Sequence, residues 1–295
     1  MSFCFDVKEE ICKIEEKNDS CRLAQFYGMV LFSQSVNEKR IKFSTENVFV
    51  INRLQSLSAS VLGVFFEMFE NGVTYTATIK GDAMERLYEK FGMASDDGPI
   101  LRLNESLLRQ KDQFHAFLRG AVLAGGHFND PSNSYHFDLV TVDYITAKST
   151  HEYLNQRGIP CKMVVRRSNY VLYLKDSQQI HDLLYILGAR TAAFELMDIK
   201  IDKETKNNIN RVENCNHYNL DKAINKAVEQ VRAIELIQEK VGLSVLPEDL
   251  LYVAILRKEN PHKSLTELSV ISEGRLSKPS LSRKLNKIIE FSKSI

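Results

Sequence analysis

Cysteine is scarce in this sequence, and its spacing fits none of the roles that cysteine clusters perform. The five residues Cys4, Cys12, Cys21, Cys161 and Cys215 are odd in number and scattered. No two form a C-x-x-C pair, which argues against a zinc site or a disulfide framework and points to reduced thiols in the cytoplasm. Cys161 and Cys215 read as buried small hydrophobes. Long apolar runs are missing as well. No stretch approaches the about 18 uninterrupted apolar residues of a membrane span. The opening "MSFCFDVKEEICKIEEK" mixes acids and bases and has no basic start followed by an apolar run, so no secretory signal is expected. Charge of one sign is absent overall: 39 Lys and Arg against 38 Asp and Glu leave a net charge of +1. That balance leaves nucleic acid open as a partner, because the placement of charge matters more than its sum. No Gly-rich phosphate loop, serine nucleophile elbow or dinucleotide fingerprint is present. The seven histidines show no ligand spacing. Catalytic residues, metal and cofactor are therefore all expected to be none.

What is present is a repeat. At 295 residues the chain can hold two or three domains. After a short amphipathic helix expected over Asp6–Glu16, "CRLAQFYGMVLFSQSV" reads as a helix to about Phe32. A strand pair through "IKFSTE" follows, then a helix opened by Asn47 with Val50, Leu54, Leu57 and Val61 on one face. Two strands turn about Asn71-Gly72, and a helix covers about Asp82 to Phe91. From Lys111 the same order recurs: helix, loop and strand, a helix ending at Gly158, a strand pair turning near Ser168-Asn169, and a closing helix to about Ala189. Such a duplication predicts a pseudo-twofold α+β domain.

In that alignment Gly28 of "FYGMVLFSQ" falls on Gly120 of "LRGAVLAGG". Interior glycines cost a helix about 1 kcal/mol each against alanine. Two helices crossing at these positions would explain them, since small residues let backbones approach closely. A single core helix without a symmetry partner is the alternative.

The C-terminal third changes character. Strand signals stop, and the sequence is helical and charge-balanced except for the polar run Asn207 to Asn219. "NINRVENCNHYN" fits either a turn, where Asn is favoured, or a nucleic-acid contact through amide and guanidinium groups. The last fifty residues read as a helix-turn-helix. A helix with Pro247 in its first turn stops at Asn260-Pro261, and a short helix opens at Ser264 with Glu267 as a capping box. The turn "EGRL" then leads to a third helix capped by Ser277. Leu281, Leu285 and Ile288 face its core, and Lys278, Ser280, Arg283, Lys284 and Lys287 lie opposite. From Arg275 onward six basic residues stand against one acid, Glu290. A recognition helix needs that bias. Lys162, Arg166, Arg167 and Lys175, with Tyr170 and Tyr173, form a second basic hairpin that is either a DNA contact or an ordinary solvent-facing hairpin. The first half shows no comparable cluster.

"LRGAVLAGG" and "FYGMVLFSQ" resemble the two motif copies of the LAGLIDADG homing-endonuclease fold. More narrowly, the sequence resembles the WhiA family of bacterial regulators. That likeness is carried by "MSFCFDVKEEI", "CRLAQFYGMVLF", "FLRGAVLAGGHFNDPSNSYHF", "NRVENCNHYNLDKAINKAVEQVRAIELI" and "LPEDLLYVAILRKENPHKSLTELSVISEGRLSKPSLSRKLNKI". The resemblance implies a duplicated LAGLIDADG-type αββαββα domain followed by an all-α helix-turn-helix domain. The divisions are an N-terminal arm 1–20, halves 21–92 and 112–190 joined by a connector 93–111, a helical linker 191–245 and a DNA-binding domain 246–295. In homing nucleases the penultimate motif residue is an acid that holds a divalent metal. Here those positions are Ser33 and Gly125, and Asp130 lies five residues on, so the lost acids imply lost cleavage chemistry. The resemblance also favours DNA contacts for Asn210, Arg211 and Asn214. It implies a non-catalytic, nucleoid-associated transcriptional regulator of sporulation, or of cell division and chromosome segregation. Its partners would be double-stranded DNA and RNA polymerase or other regulators, with no membrane and no oligomer implied. A protein-interaction factor in cell division and a metal-dependent nuclease are the alternative readings.

Overall fold

The computed structural model describes residues 2–37, 40–93 and 102–295. Residues 94–101 of the expected connector lie outside the described residues. The chain divides into two compact units, Met1–Lys203 and Glu204–Ile295.

In the first unit the Ser2 hydroxyl accepts from the Phe5 amide at 3.3 Å and opens α1 (Phe3–Cys12), whose Phe3, Val7 and Ile11 are buried. The helix thus starts three residues before the expected Asp6, because the serine supplies the missing acceptor for the first turn. It ends at Cys12, short of the expected Glu16. Two copies of one pattern follow. The first comprises α2 (Asp19–Leu31), β1 (Ser35–Asn37), β2 (Arg40–Thr45), α3 (Val48–Leu62), β3 (Glu67–Asn71), β4 (Thr74–Lys80) and α4 (Asp82–Phe91). The second comprises α5 (Lys111–Gly125), β5 (Gly126–Phe128), β6 (Phe137–Thr141), α6 (Tyr144–Gln156), β7 (Lys162–Arg166), β8 (Asn169–Leu174) and α7 (Ser177–Leu187). Each sheet is antiparallel, in the order β1-β2-β4-β3 and β5-β6-β8-β7, so the duplication holds at the level of strand pairing.

Local chemistry sets the boundaries. Asn18, Asn47, Asp143 and Asp176 each cap a helix through a side-chain oxygen. Gly72 supplies a positive φ of 60° to the first hairpin. The second hairpin turns at Arg167 and Ser168, with φ of 47° and 69°, one residue before the expected position. Two positive φ values in a two-residue loop suit the twist of the flanking strands.

Helices α2 and α5 cross with their backbones in contact. A Cβ at Gly28 would collide with the Phe117 carbonyl oxygen and lie 2.8 Å from the Ala121 nitrogen. One at Gly120 would collide with the Gln25 carbonyl and lie 2.9 Å from the Met29 nitrogen. The glycines are reciprocal, so the helices are symmetry partners. Phe26, Met29, Val30, Phe117, Leu118, Ala121 and Val122 surround the crossing and are buried in one core. Beside the seam, Arg119 Nε and Nη2 donate to the two carboxylate oxygens of Glu16 at 2.8 and 2.7 Å, with both side chains buried.

Helix α8 (Arg190–Lys240) is continuous through the polar run Asn207–Asn219, so the turn, one of the two readings of that run, does not hold. Neither glycine nor proline occurs between 190 and 240, and Asn at interior positions costs too little to end a helix. In the second unit Ile234 and Ile237 of α8 share a core with α9 (Glu248–Glu259), α10 (Leu265–Ile271) and α11 (Lys278–Lys293). The position 246, expected to open the last domain, falls within this unit.

Candidate nucleic-acid interface

Two shorter helices, α9 and α10, present α11. Pro247 stands just outside α9 at its N-cap, with ψ of 146°. The capping box of α10 is complete: Ser264 Oγ accepts from the Glu267 amide at 3.2 Å, and Glu267 accepts from the Ser264 amide at 2.8 Å. That backbone bond first, then the bond from Lys263 Nζ and the one with the Ser264 side chain, pulls the Glu267 carboxyl down to about 2. Glu273 and Gly274 turn the chain with positive φ. Ser269 Oγ then donates to the Leu276 carbonyl at 2.6 Å and fixes the turn.

Leu281, Leu285 and Ile288 of α11 are fully buried, and this sets which side of the helix faces outward. Lys278, Arg283 and Lys287 are exposed and have no ion-pair partner among the described residues. Ser280 is half-buried. Lys284 differs from its neighbours: it is half-buried and paired with Asp249 of α9. Ser277 occupies the N-cap position, but its side chain makes no capping bond, and Pro279 sits in the first turn. Asn210, Arg211 and Asn214 are on a different helix, α8, and all are exposed. Cys215 beside them is exposed, which corrects the expectation of burial: its apolar neighbours Ile209, Val212 and Tyr218 are exposed with it, so this stretch of α8 joins no core. Cys161 is buried, and desolvation pushes its thiol up to about 11.

The ends of α2 and α5, where the nuclease fold keeps its acids, do not fit a divalent cation. Gly125 offers no ligand, and a Cβ there would lie 2.5 Å from the Val140 carbonyl oxygen, so an acid has no room. Ser33 is buried, and its hydroxyl has no partner among the described residues. Asp130 lies in the β5–β6 loop, where it accepts from the Ser132 amide at 2.7 Å. The C-terminal end of α5 also has a hydrogen-bond partner already. Lys8 Nζ donates to the Leu123 carbonyl at 3.2 Å, a contact that local sequence pattern does not reveal.

The open faces of the two sheets differ. In the second sheet Lys162, Arg166 and Tyr173 share the face, with Lys175 Nζ 5.5 Å from the Tyr173 ring. Tyr170 points to the other side, within 5.3 Å of the Tyr144 ring, and Arg167 is in the turn. Asp138 engages both Arg166, at 3.1 Å, and His136, at 2.8 Å. The first sheet does carry a basic group, against expectation. Cross-strand pairing puts Arg40 opposite Lys80 and on the same face as Lys42, and these residues are too far apart in sequence to read as a cluster. Among the described residues, no helix is long and apolar enough to cross a membrane.

Comparison with known proteins agrees with this architecture. The family model of the WhiA LAGLIDADG-like domain matches residues 114–206, and that of the WhiA C-terminal HTH domain matches residues 209–292. A probable cell division protein WhiA of Ruminiclostridium cellulolyticum is 30% identical over 307 residues, covering 100% of this chain and 98% of its own. One from Clostridium botulinum (strain Eklund 17B / Type B) is 32% identical over 312 residues, covering 100% and 99%. The crystal structure of full-length WhiA from Thermatoga maritima matches with a TM-score of 0.59 at 25% identity, covering 100% of this chain and 99% of that one. A separate N-terminal LAGLIDADG domain of WhiA, at 19% identity and a TM-score of 0.51 over 63% of this chain and 90% of that one, shows the same fold. With two family models in sequence order and relatives aligned end to end, the chain belongs to the WhiA family.

Proposed function

We propose that this protein is a non-catalytic regulator that binds duplex DNA through its C-terminal helix-turn-helix and acts in cell division. The observation that carries the reading is the exposed pair Arg283 and Lys287, four residues apart on the outward side of α11, with Lys278 exposed at the start of the helix. An amphipathic third helix held by two shorter ones, with cations outward, suits the major groove and its flanking phosphates. Asn210, Arg211 and Asn214 would add contacts from α8, and Ser277 and Ser280 would contribute hydroxyls beside the cations. Lys284, committed to Asp249, is the weakest member of the set. The printed name of the relatives supports cell division as the process. Control of transcription, a role in sporulation or chromosome segregation, and contact with RNA polymerase extend the family resemblance. The crowding at Gly125, which leaves no room for an acid at the end of α5, supports the reading that cleavage chemistry is lost. Replacing both Arg283 and Lys287 by Ala is expected to weaken a gel shift on duplex DNA at least about tenfold at fixed salt. Unchanged affinity would remove α11 as the reading helix.

A second reading, in which the duplicated domain docks a protein, is favoured by Phe65, Phe69 and Val73 around the β3–β4 hairpin, which are 70%, 58% and 72% exposed.

A further inference from the structure

The second unit also holds a cavity of about 430 Å³, which shares Lys278 with α11 and leaves Arg283 and Lys287 outside. Lys222 and Lys226 of α8, Lys263 ahead of α10 and Lys278 of α11 contribute exposed ammonium groups, and no carboxylate residue lines it. Lys226 and Lys263 do have carboxylate neighbours outside the lining, Glu229 at 2.8 Å and Glu267 at 3.0 Å. Those pairs are solvent-exposed and therefore weak.

Two buried side chains also line it. Arg257 of α9 is 1% exposed. Its Nη1 donates to the Lys263 carbonyl at 2.6 Å and the Asn260 carbonyl at 3.3 Å, while Nε has no partner among the described residues. Burial lowers its pKa, and no carboxylate compensates. Gln230 of α8 is 2% exposed, and its amide oxygen is also unpartnered. Amide oxygen and nitrogen are interchangeable by a flip, so this group can offer a donor in the same place. A buried guanidinium with an unused donor and no counter-charge is costly. An anion entering the cavity would satisfy Arg257 and relieve the repulsion among the four ammonium groups.

We propose that this cavity is a binding site for a small phosphate-bearing anion. A phosphoryl group offers several strong acceptor oxygens in the geometry a guanidinium prefers, and the volume is in the range of small-ligand sites. A backbone phosphate of duplex DNA stays at the protein surface and would meet the rim lysines without reaching Arg257. The site does not depend on α11 reading DNA.

The test is calorimetric titration of the full chain with inorganic phosphate and, separately, with ATP, at an ionic strength held constant with sodium chloride. Saturable binding of either probe with one site per chain is expected. Binding of phosphate alone would mean a site for free phosphate or a small monoester, and binding of ATP would mean that a nucleotide fits. The exposed double substitution Lys222→Ala and Lys263→Ala should lower affinity at least about tenfold. Arg283→Ala, outside the cavity, should leave it unchanged. No saturable binding, or equal affinity in the double variant, would overturn the site. So would loss of duplex affinity in that variant without any phosphate binding by the parent, which would hand the cavity to the DNA backbone.

Discussion

In the first unit the Arg119 guanidinium lies buried against Glu16, whereas in the second that of Arg283 stands in solvent. The contrast extends to their neighbours. Arg53 donates twice to Gln25 Oε1, at 2.9 and 2.7 Å. Arg157 donates to the Tyr153 hydroxyl at 2.7 Å and lies over the Phe114 and Tyr153 rings. Arg166 is held by Asp138. Among the described residues, Lys284 is the one cation of α11 tied in this way. A net charge of +1 thus averages a unit in which these arginines are tied into the fold with one whose last helix turns Arg283 and Lys287 to solvent, although Arg257 is buried there as well. Substitutions in the first unit should change stability, and those on α11 should change binding.

The largest effect is expected where the first unit's internal pairing is broken. Glu16→Ala strands a buried guanidinium and should cost about 3–5 kcal/mol in urea unfolding. A loss below about 1 kcal/mol would mean that water reaches Arg119 and that the contrast between units is overstated. Gly120→Ala forces a methyl group into the Gln25 carbonyl and should cost about 3 kcal/mol, since backbone on both sides must move. A neutral result would show that α2 and α5 are not in backbone contact. Gly125→Asp, which restores the acid of the nuclease fold, should destabilise by about 2 kcal/mol, and magnesium should not raise its melting temperature. A magnesium-dependent rise would show that the helix ends can still hold a cation.

The smallest effect concerns the capping box of the second unit. Glu267 is held at about 2, below its ordinary value of 4.5. Its charged form therefore stabilises the fold above pH 4.5, and that contribution fades as pH falls towards 2. Glu267→Gln keeps the shape and removes the charge. The stability gap between the two proteins should be present at pH 6 and shrink steadily below pH 4.5. A gap independent of pH would mean that the carboxylate charge plays no part.

The elements built from local chemistry could be read in the sequence. Asn47 and the Ser264–Glu267 pair announce helix starts, Asn71-Gly72 announces a hairpin, and Gly28 aligned with Gly120 announces the seam. The recurring order of helices and strands along the chain could be read from the repeat, and the order of strands within each sheet came from the structure. Contacts between distant positions could not be read this way. Glu16 and Arg119 are 103 residues apart, and Lys8 reaches α5 over 115. The basic face of the first sheet exists only once β2 and β4 pair. Continuity of α8 was hidden because asparagine is compatible with both a turn and a helix, and nothing in 207–219 decides between them. On α11 the hydrophobic spacing identified the outward side, but the turning of Lys284 towards Asp249 needed the packing of α9.

The most direct test of the division between units is duplex-DNA affinity of the full chain measured across a salt series for two double variants. One is Arg283→Ala with Lys287→Ala on α11, and the other is Lys42→Ala with Lys80→Ala on the first sheet. The account predicts that the α11 variant loses affinity at every salt concentration and flattens the salt dependence by about two phosphate contacts, while the sheet variant follows the parent protein. The reverse pattern, a sheet variant that loses binding beside an unaffected α11 variant, would contradict it.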